Sequence, residues 1–158
     1  MTVAIAGTTG RALVPEALFD RLVTHIVKTE DLPPEFAARI MDQALAFLRA
    51  CADNPGSSLS PSPLVDIGWH CFILHTTDYA EFCDRFAGRF IHHIPTDERT
   101  ARDDLLAEMA RTMKAISTAG LDVDPELWSA LALNCNNGDD GCRASGKDGN
   151  ENTGTNGK

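Results

Sequence analysis

The sequence predicts an all-α protein: a compact bundle of five or six helices followed by a disordered C-terminal tail. Three observations carry this reading. Apolar residues recur at three- and four-residue spacing through most of the chain. No segment alternates with the period of two that a half-buried strand requires. Proline, glycine and Ser/Thr/Asp breakers fall between the periodic runs. With 158 residues, 43% of them hydrophobic, the chain can build one core. It divides into a flexible arm over 1–11, a helical domain over 12–134 and a Gly/Asn-rich tail over 135–158.

The elements follow in order. Residues 1–13 lack periodicity. Helix 1 opens at Pro15, a good first-turn residue, with Leu18, Leu22 and Ile26 on one stripe and Phe19, Val23 and Val27 beside it. It ends before Pro33-Pro34. Helix 2 begins near Pro34 and sets Phe36, Ile40, Ala44, Phe47, Leu48 and Cys51 along one face, until Asn54-Pro55-Gly56 stops it. The linker NPGSSLSPSP then leads to Ser62-Pro63, an N-cap and first turn for helix 3, which runs to about His75. Thr76-Thr77 is expected to break the chain, and Asp78, with Glu81 three residues on, to cap helix 4. Tyr79, Phe82, Cys83 and Phe86 form its apolar face, and Gly88 ends it. An extended apolar segment covers 90–95. Helix 5 starts around Thr96-Asp97-Glu98 with Leu105, Met109, Met113 and Ile116 inward, and stops at Gly120. A short helix 6 opens at Asp124-Pro125 and includes Leu127, Trp128, Leu131 and Leu133. Residues 137–158 hold half of the twelve glycines and almost nothing apolar, too little to offset their ordering entropy.

Charge and compartment narrow the function classes. A net charge of -9 without any run of Lys or Arg argues against nucleic acid and against an anionic membrane surface. No apolar run approaches the roughly 18 residues of a membrane span, and the N-terminus lacks the basic start and long apolar stretch of a signal peptide. The expected location is cytoplasmic. There, five cysteines, an odd number, are expected to be free, metal-bound or redox-active rather than bridged.

Residues 66–93 concentrate the chemistry: four of the five histidines, two of the five cysteines and one of the two tryptophans. On a helix, residues four apart share a face. Asp66 with His70 forms one half-site, and Cys71 with His75 another. His70 and His75 lie about 140° apart at roughly 100° per residue, too far round an ideal helix to share one ion. Asp66 and His70 need a third ligand, which His92 or His93 supplies if the extended segment folds back. Two histidines and a carboxylate suit iron(II), or catalytic zinc with water. Cys71 and His75 with Cys83 or another His look more like zinc. The same residues also read as a purely structural network: Asp66 orients His70, Cys71 and Cys83 are buried thiols, and Trp69 and Tyr79 anchor the core. His25 reads as a surface or flank residue and Cys51 as core.

Other chemistry is poorly supported. Cys135 and Cys142 are spaced too widely for a zinc knuckle, although a reversible disulfide would close their loop. Asp139-Asp140 lack the rest of a calcium loop. Gly7-Thr-Thr-Gly10 is not a phosphate loop, and there is no Gly-x-Ser-x-Gly elbow. A Cys/His nucleophile pair from Cys71 or Cys83 has no identified oxyanion hole.

The series Trp69-His70-Cys71, Leu74, Tyr79, Cys83 and Gly88 resembles the signature of the glycine-rich-domain-containing-protein-like family over residues 10–95, and the chain is similar to short bacterial members. Phe72 stands where plant members carry a second His, and Thr76-Thr77 where they carry Pro, so a function that needs a His-x-His pair does not carry over. The resemblance implies a core motif and no particular reaction. Three functions stay open: a cytoplasmic helical protein with a His-centred, metal-binding or polar site; a non-enzymatic adaptor that offers its tail to a protein partner; and a metal-dependent oxidoreductase or hydrolase using Asp66, His70 and His92 or His93. Whether the chain is an enzyme is not decided at this level. Deleting residues 137–158 is expected to leave the melting temperature within a few degrees in a thermal scan, because almost no apolar surface is lost; a loss of about 1 kcal/mol would already move it by about 2–8 °C.

Overall fold

The computed structural model describes residues 7–57, 59–94 and 102–129. Among them are six α-helices and no strand: α1 Glu16–Glu30, α2 Pro34–Asp53, α3 Pro63–Leu74, α4 Thr76–Ala87, α5 Arg102–Thr118 and α6 Pro125–Trp128, preceded by one turn of 3-10 helix at Gly10–Leu13. The all-α bundle expected from periodicity is what forms. The tail expected over 135–158, the start of helix 5 at Thr96-Asp97-Glu98, and Leu131 and Leu133 lie outside the described residues.

Helix α2 is the axis. The single apolar stripe read from its sequence understates it. Ile40, Met41, Gln43 and the whole run from Ala44 to Leu48 are buried, because α1, α3, α4, α5 and the 3-10 turn all pack on it. Its alanines let neighbours approach closely. A Cβ on Gly68 of α3 would lie 2.7 Å from the Ala44 Cβ and 3.1 Å from the Ile40 carbonyl oxygen. Only glycine fits that crossing.

The one buried amide on α2 is fully used. Gln43 donates to the Asp122 carbonyl (3.0 Å) and the Asp42 carboxylate (3.1 Å). It accepts from the Asp124 amide (3.1 Å) and the Trp128 indole (2.8 Å). Arg39 one turn earlier grips both Asp124 carboxylate oxygens and also Glu126. These bonds fasten α6 against the bundle, and their carboxylates hold the Arg39 guanidinium even more firmly charged than usual. The linker after α2 is tied to α5, where the Ser60 amide donates to the Thr112 hydroxyl (3.1 Å).

Two sequence expectations change. Residues 7–11, assigned to a loose arm, are held. Thr8 pairs with Gly120 and Asp122 through backbone bonds of 3.0 and 3.1 Å, and the Arg11 amide donates to Asp42 at 2.7 Å. The break between α3 and α4 is not Thr76-Thr77 but the single residue His75, at φ −90° and ψ 70°. Its carbonyl already accepts from the Tyr79 amide, so helix resumes at Thr76, and Asp78 lies inside the first turn, paired with Arg21 at 3.6 Å rather than capping. Ser62 does cap α3, accepting from the Val65 amide at 3.1 Å. Gly88 ends α4 with φ 67°, a left-handed turn that glycine adopts without penalty.

Gly68→Ala should lower stability by about 1–3 kcal/mol in urea unfolding through overpacking. The gain of about 1 kcal/mol in helix propensity is outweighed, because the two nearest atoms in the way are a Cβ and a backbone oxygen, which cannot rotate aside.

Candidate metal centre

The close α2–α3 crossing buries one face of α3 and leaves its flanks to meet α1 and the segment after α4. Asp66, one turn before His70, is only 2% exposed. The segment 90–94 returns along α3 and is clamped at Ile91. The Trp69 indole donates to the Tyr79 hydroxyl at 3.0 Å, and that hydroxyl donates to the Ile91 carbonyl. The Ile91 amide donates to Cys83 Sγ at 3.5 Å. With Ile91 held at both ends, His93 two residues on is delivered to α3. Its ring packs on Trp69 and His70, with centroids 4.3 and 4.5 Å apart.

Three donor atoms then converge. His70 Nε2 lies 3.1 Å from Asp66 Oδ2, His93 Nε2 lies 3.1 Å from Asp66 Oδ1, and the two imidazole nitrogens are 2.9 Å apart. Protons cannot satisfy this triangle. Each Nε2 carries at most one hydrogen. If both carry one, the N···N edge sets two hydrogens against each other; if one does not, an edge to the carboxylate has no donor. Accordingly Asp66 Oδ2, fully buried, accepts no well-aligned hydrogen bond. A single cation at the centre would satisfy all three edges at once.

The sequence candidates sort as follows. Asp66, His70 and His93 meet. His92, the alternative third ligand, is exposed and stacks on Phe90. Cys83 stays away from any cluster; it is the buried acceptor of the Ile91 clamp. Cys71 and His75 do form a second group, but their third member is His25 of α1, and neither Cys83 nor a further histidine from 92–93 joins it. His25, read from sequence as a flank residue, was the one missed. The available signal was its position three residues after Leu22, at the edge of the buried stripe of α1. Cys51 is partly buried rather than fully core, and burial pushes its thiol up to about 12. Tyr79 is likewise pushed well above the ordinary phenol range, chiefly by burial, so it stays a neutral donor.

Over residues 11–133 the chain matches the model of the UCP032817-like family. The chain belongs to that family. Comparison with curated proteins and with solved structures returns no match. The assignment corrects the expected likeness to the glycine-rich-domain-containing-protein-like family. The spacing behind that likeness, Trp69 to Tyr79 to Cys83, has a local physical cause, the clamp on Ile91, and a clamp identifies a packing device rather than a lineage. In this UCP032817-like chain, no described helix is long and apolar enough to cross a membrane.

Tyr79→Phe tests the clamp. The ring contacts with Phe72 and Phe90 are retained, but the Trp69 indole and the Ile91 carbonyl lose their partner, at about 1–3 kcal/mol for each buried group left unpaired. Urea unfolding should show that loss, and hydrogen exchange at the Ile91 amide should accelerate. Unchanged exchange there would remove the clamp from the account of how His93 is positioned.

Proposed function

We propose that the protein is a metal protein in which Asp66, His70 and His93 hold one six-coordinate divalent first-row ion, iron(II) being the best match. The observation that carries this is the convergence of three donor atoms 2.9–3.1 Å from one another around a buried carboxylate oxygen with no hydrogen bond. The donor set is that of the two-histidine, one-carboxylate facial triad. Among the described residues three protein donors converge, Asp66, His70 and His93, and three protein ligands leave coordination positions for a small molecule. A closed structural site would supply a fourth protein ligand. Open positions are what a metal-dependent oxidoreductase uses to bind a small molecule. Within this reading Asp66 supplies the anionic ligand, His70 and His93 the neutral ones, and Trp69 the wall that orients His93.

The experiment is elemental analysis of protein purified without chelator, followed by melting with and without metal. Iron(II) added anaerobically at about a hundredfold excess over its Kd should stabilise the wild type by about 2.7 kcal/mol. Asp66→Ala and His93→Ala should lose that increment. Without metal, Asp66→Ala should unfold little earlier than the wild type, since the hydrogen bond lost from Oδ1 is offset by removal of the buried Oδ2, which accepts none. A fixed structural network gives the opposite pattern: no metal-dependent rise attributable to Asp66, and a loss of about 1–3 kcal/mol in Asp66→Ala with chelator present.

A further inference from the structure

A second set of donors lies on the other flank of α3. His25 Nδ1 of α1 is 3.0 Å from His75 Nε2 at the α3–α4 break, and Cys71 Sγ lies within 4.8 Å of both. The two rings are tilted by 58° with their nitrogens facing. Cys71 and His75 share a face of α3 by their four-residue spacing. His25 is brought over them because Leu22, three residues before it on α1, docks on the same thiol: Cys71 Sγ donates to the Leu22 carbonyl at 3.5 Å. The thiol is buried, while both imidazoles are part-exposed, so the cluster is a shallow cup with sulfur at its floor and nitrogen at its rim.

We infer that His25, Cys71 and His75 form a second, separate metal site that takes a borderline-soft divalent ion of the zinc type. The donors differ in kind from those of the Asp66 centre. One sulfur and two imidazoles favour zinc or cobalt(II) over iron(II) or manganese. Bonds of about 2.3 Å to sulfur and about 2.0 Å to nitrogen are within reach of small rotations of these side chains, and among the described residues three donors group together, which leaves a fourth position for a water molecule. Binding replaces the thiol hydrogen by the metal: the Cys71 S–H proton is released to solvent, and no electron is transferred. Burial holds the free thiol protonated, pushing it up to about 12, and lowers His75 below the ordinary imidazole range, first by burial and then through His25 and Arg21. An uncharged His75 is the form that ligates.

The inference stands apart from the iron(II) reading, and cobalt(II) separates the two. The test uses full-length chain with Cys135→Ser and Cys142→Ser, so that the tail cannot supply sulfur, kept reduced with a phosphine and stripped of metal. Titration with cobalt(II) is expected to fill two sites, one of them giving a near-ultraviolet sulfur-to-cobalt charge-transfer band. Asp66→Ala should lose one equivalent and keep the band. Cys71→Ser and, as the more conservative test of folding, His25→Ala at the part-exposed rim should each lose the band and keep the other equivalent. A band that survives Cys71→Ser, or a wild-type titration in which no such band develops, overturns the second site whatever the Asp66 centre does.

Discussion

Everything else in the fold is arranged around the contact of α3 with α2 at Gly68. A Cβ there would penetrate Ala44 and crowd the Ile40 carbonyl. The missing side chain lets two helices meet almost backbone to backbone, so α3 enters the centre of the bundle instead of lying on its surface. Its sequence is apolar nearly all round, as a helix in that position must be. The polar residues it carries then have nowhere to go but its flanks. Asp66 and His70 emerge toward the 90–94 segment, and Cys71 and His75 toward α1. One close contact thereby creates two separate clusters on one short helix.

The second constraint is the clamp on Ile91. Residues 90–94 have no helix or sheet to satisfy their backbone, so their position is set by three side chains: Trp69, Tyr79 and Cys83. Buried backbone groups need partners. Here the hydroxyl and the thiol supply them while also fixing the path of the chain. The two residues from Ile91 to His93 leave little freedom, and His93 arrives between Trp69 and His70 with its Nε2 against the carboxylate.

A triangle of donors with too few protons is unfavourable in the absence of a cation, since buried polar groups without partners lose solvation and regain nothing. The surrounding core sustains it. Gln43, by contrast, shows what this chain does with a buried polar residue whose task is structural: each of its amide atoms is paired. Within one small bundle Gln43 pairs every amide atom, while Asp66 keeps one carboxylate oxygen without a well-aligned partner.

The sequence by itself determined the helices and most of their ends. Leu18, Leu22 and Ile26 repeat at helical period, Ser62-Pro63 is a cap in any context, and Gly88 permits a left-handed turn. These are properties of short stretches of chain. It also determined that His70 and His75 must serve different clusters, because helix geometry alone sets them apart. Only the tertiary structure decided between His92 and His93, since adjacent residues of an extended segment differ only in which side faces the core, and Tyr79, twelve residues before Ile91, selects that side. It alone brought His25 to Cys71 and His75, withdrew Cys83 into the clamp, and fastened residues 7–11. Each of these depends on contacts between distant parts of the chain, and no periodicity in a single segment records them. Thr76-Thr77 shows the converse limit. A local breaker was overruled because the hydrogen bond to His75 and the packing of Tyr79 started the helix three residues sooner than its sequence signal.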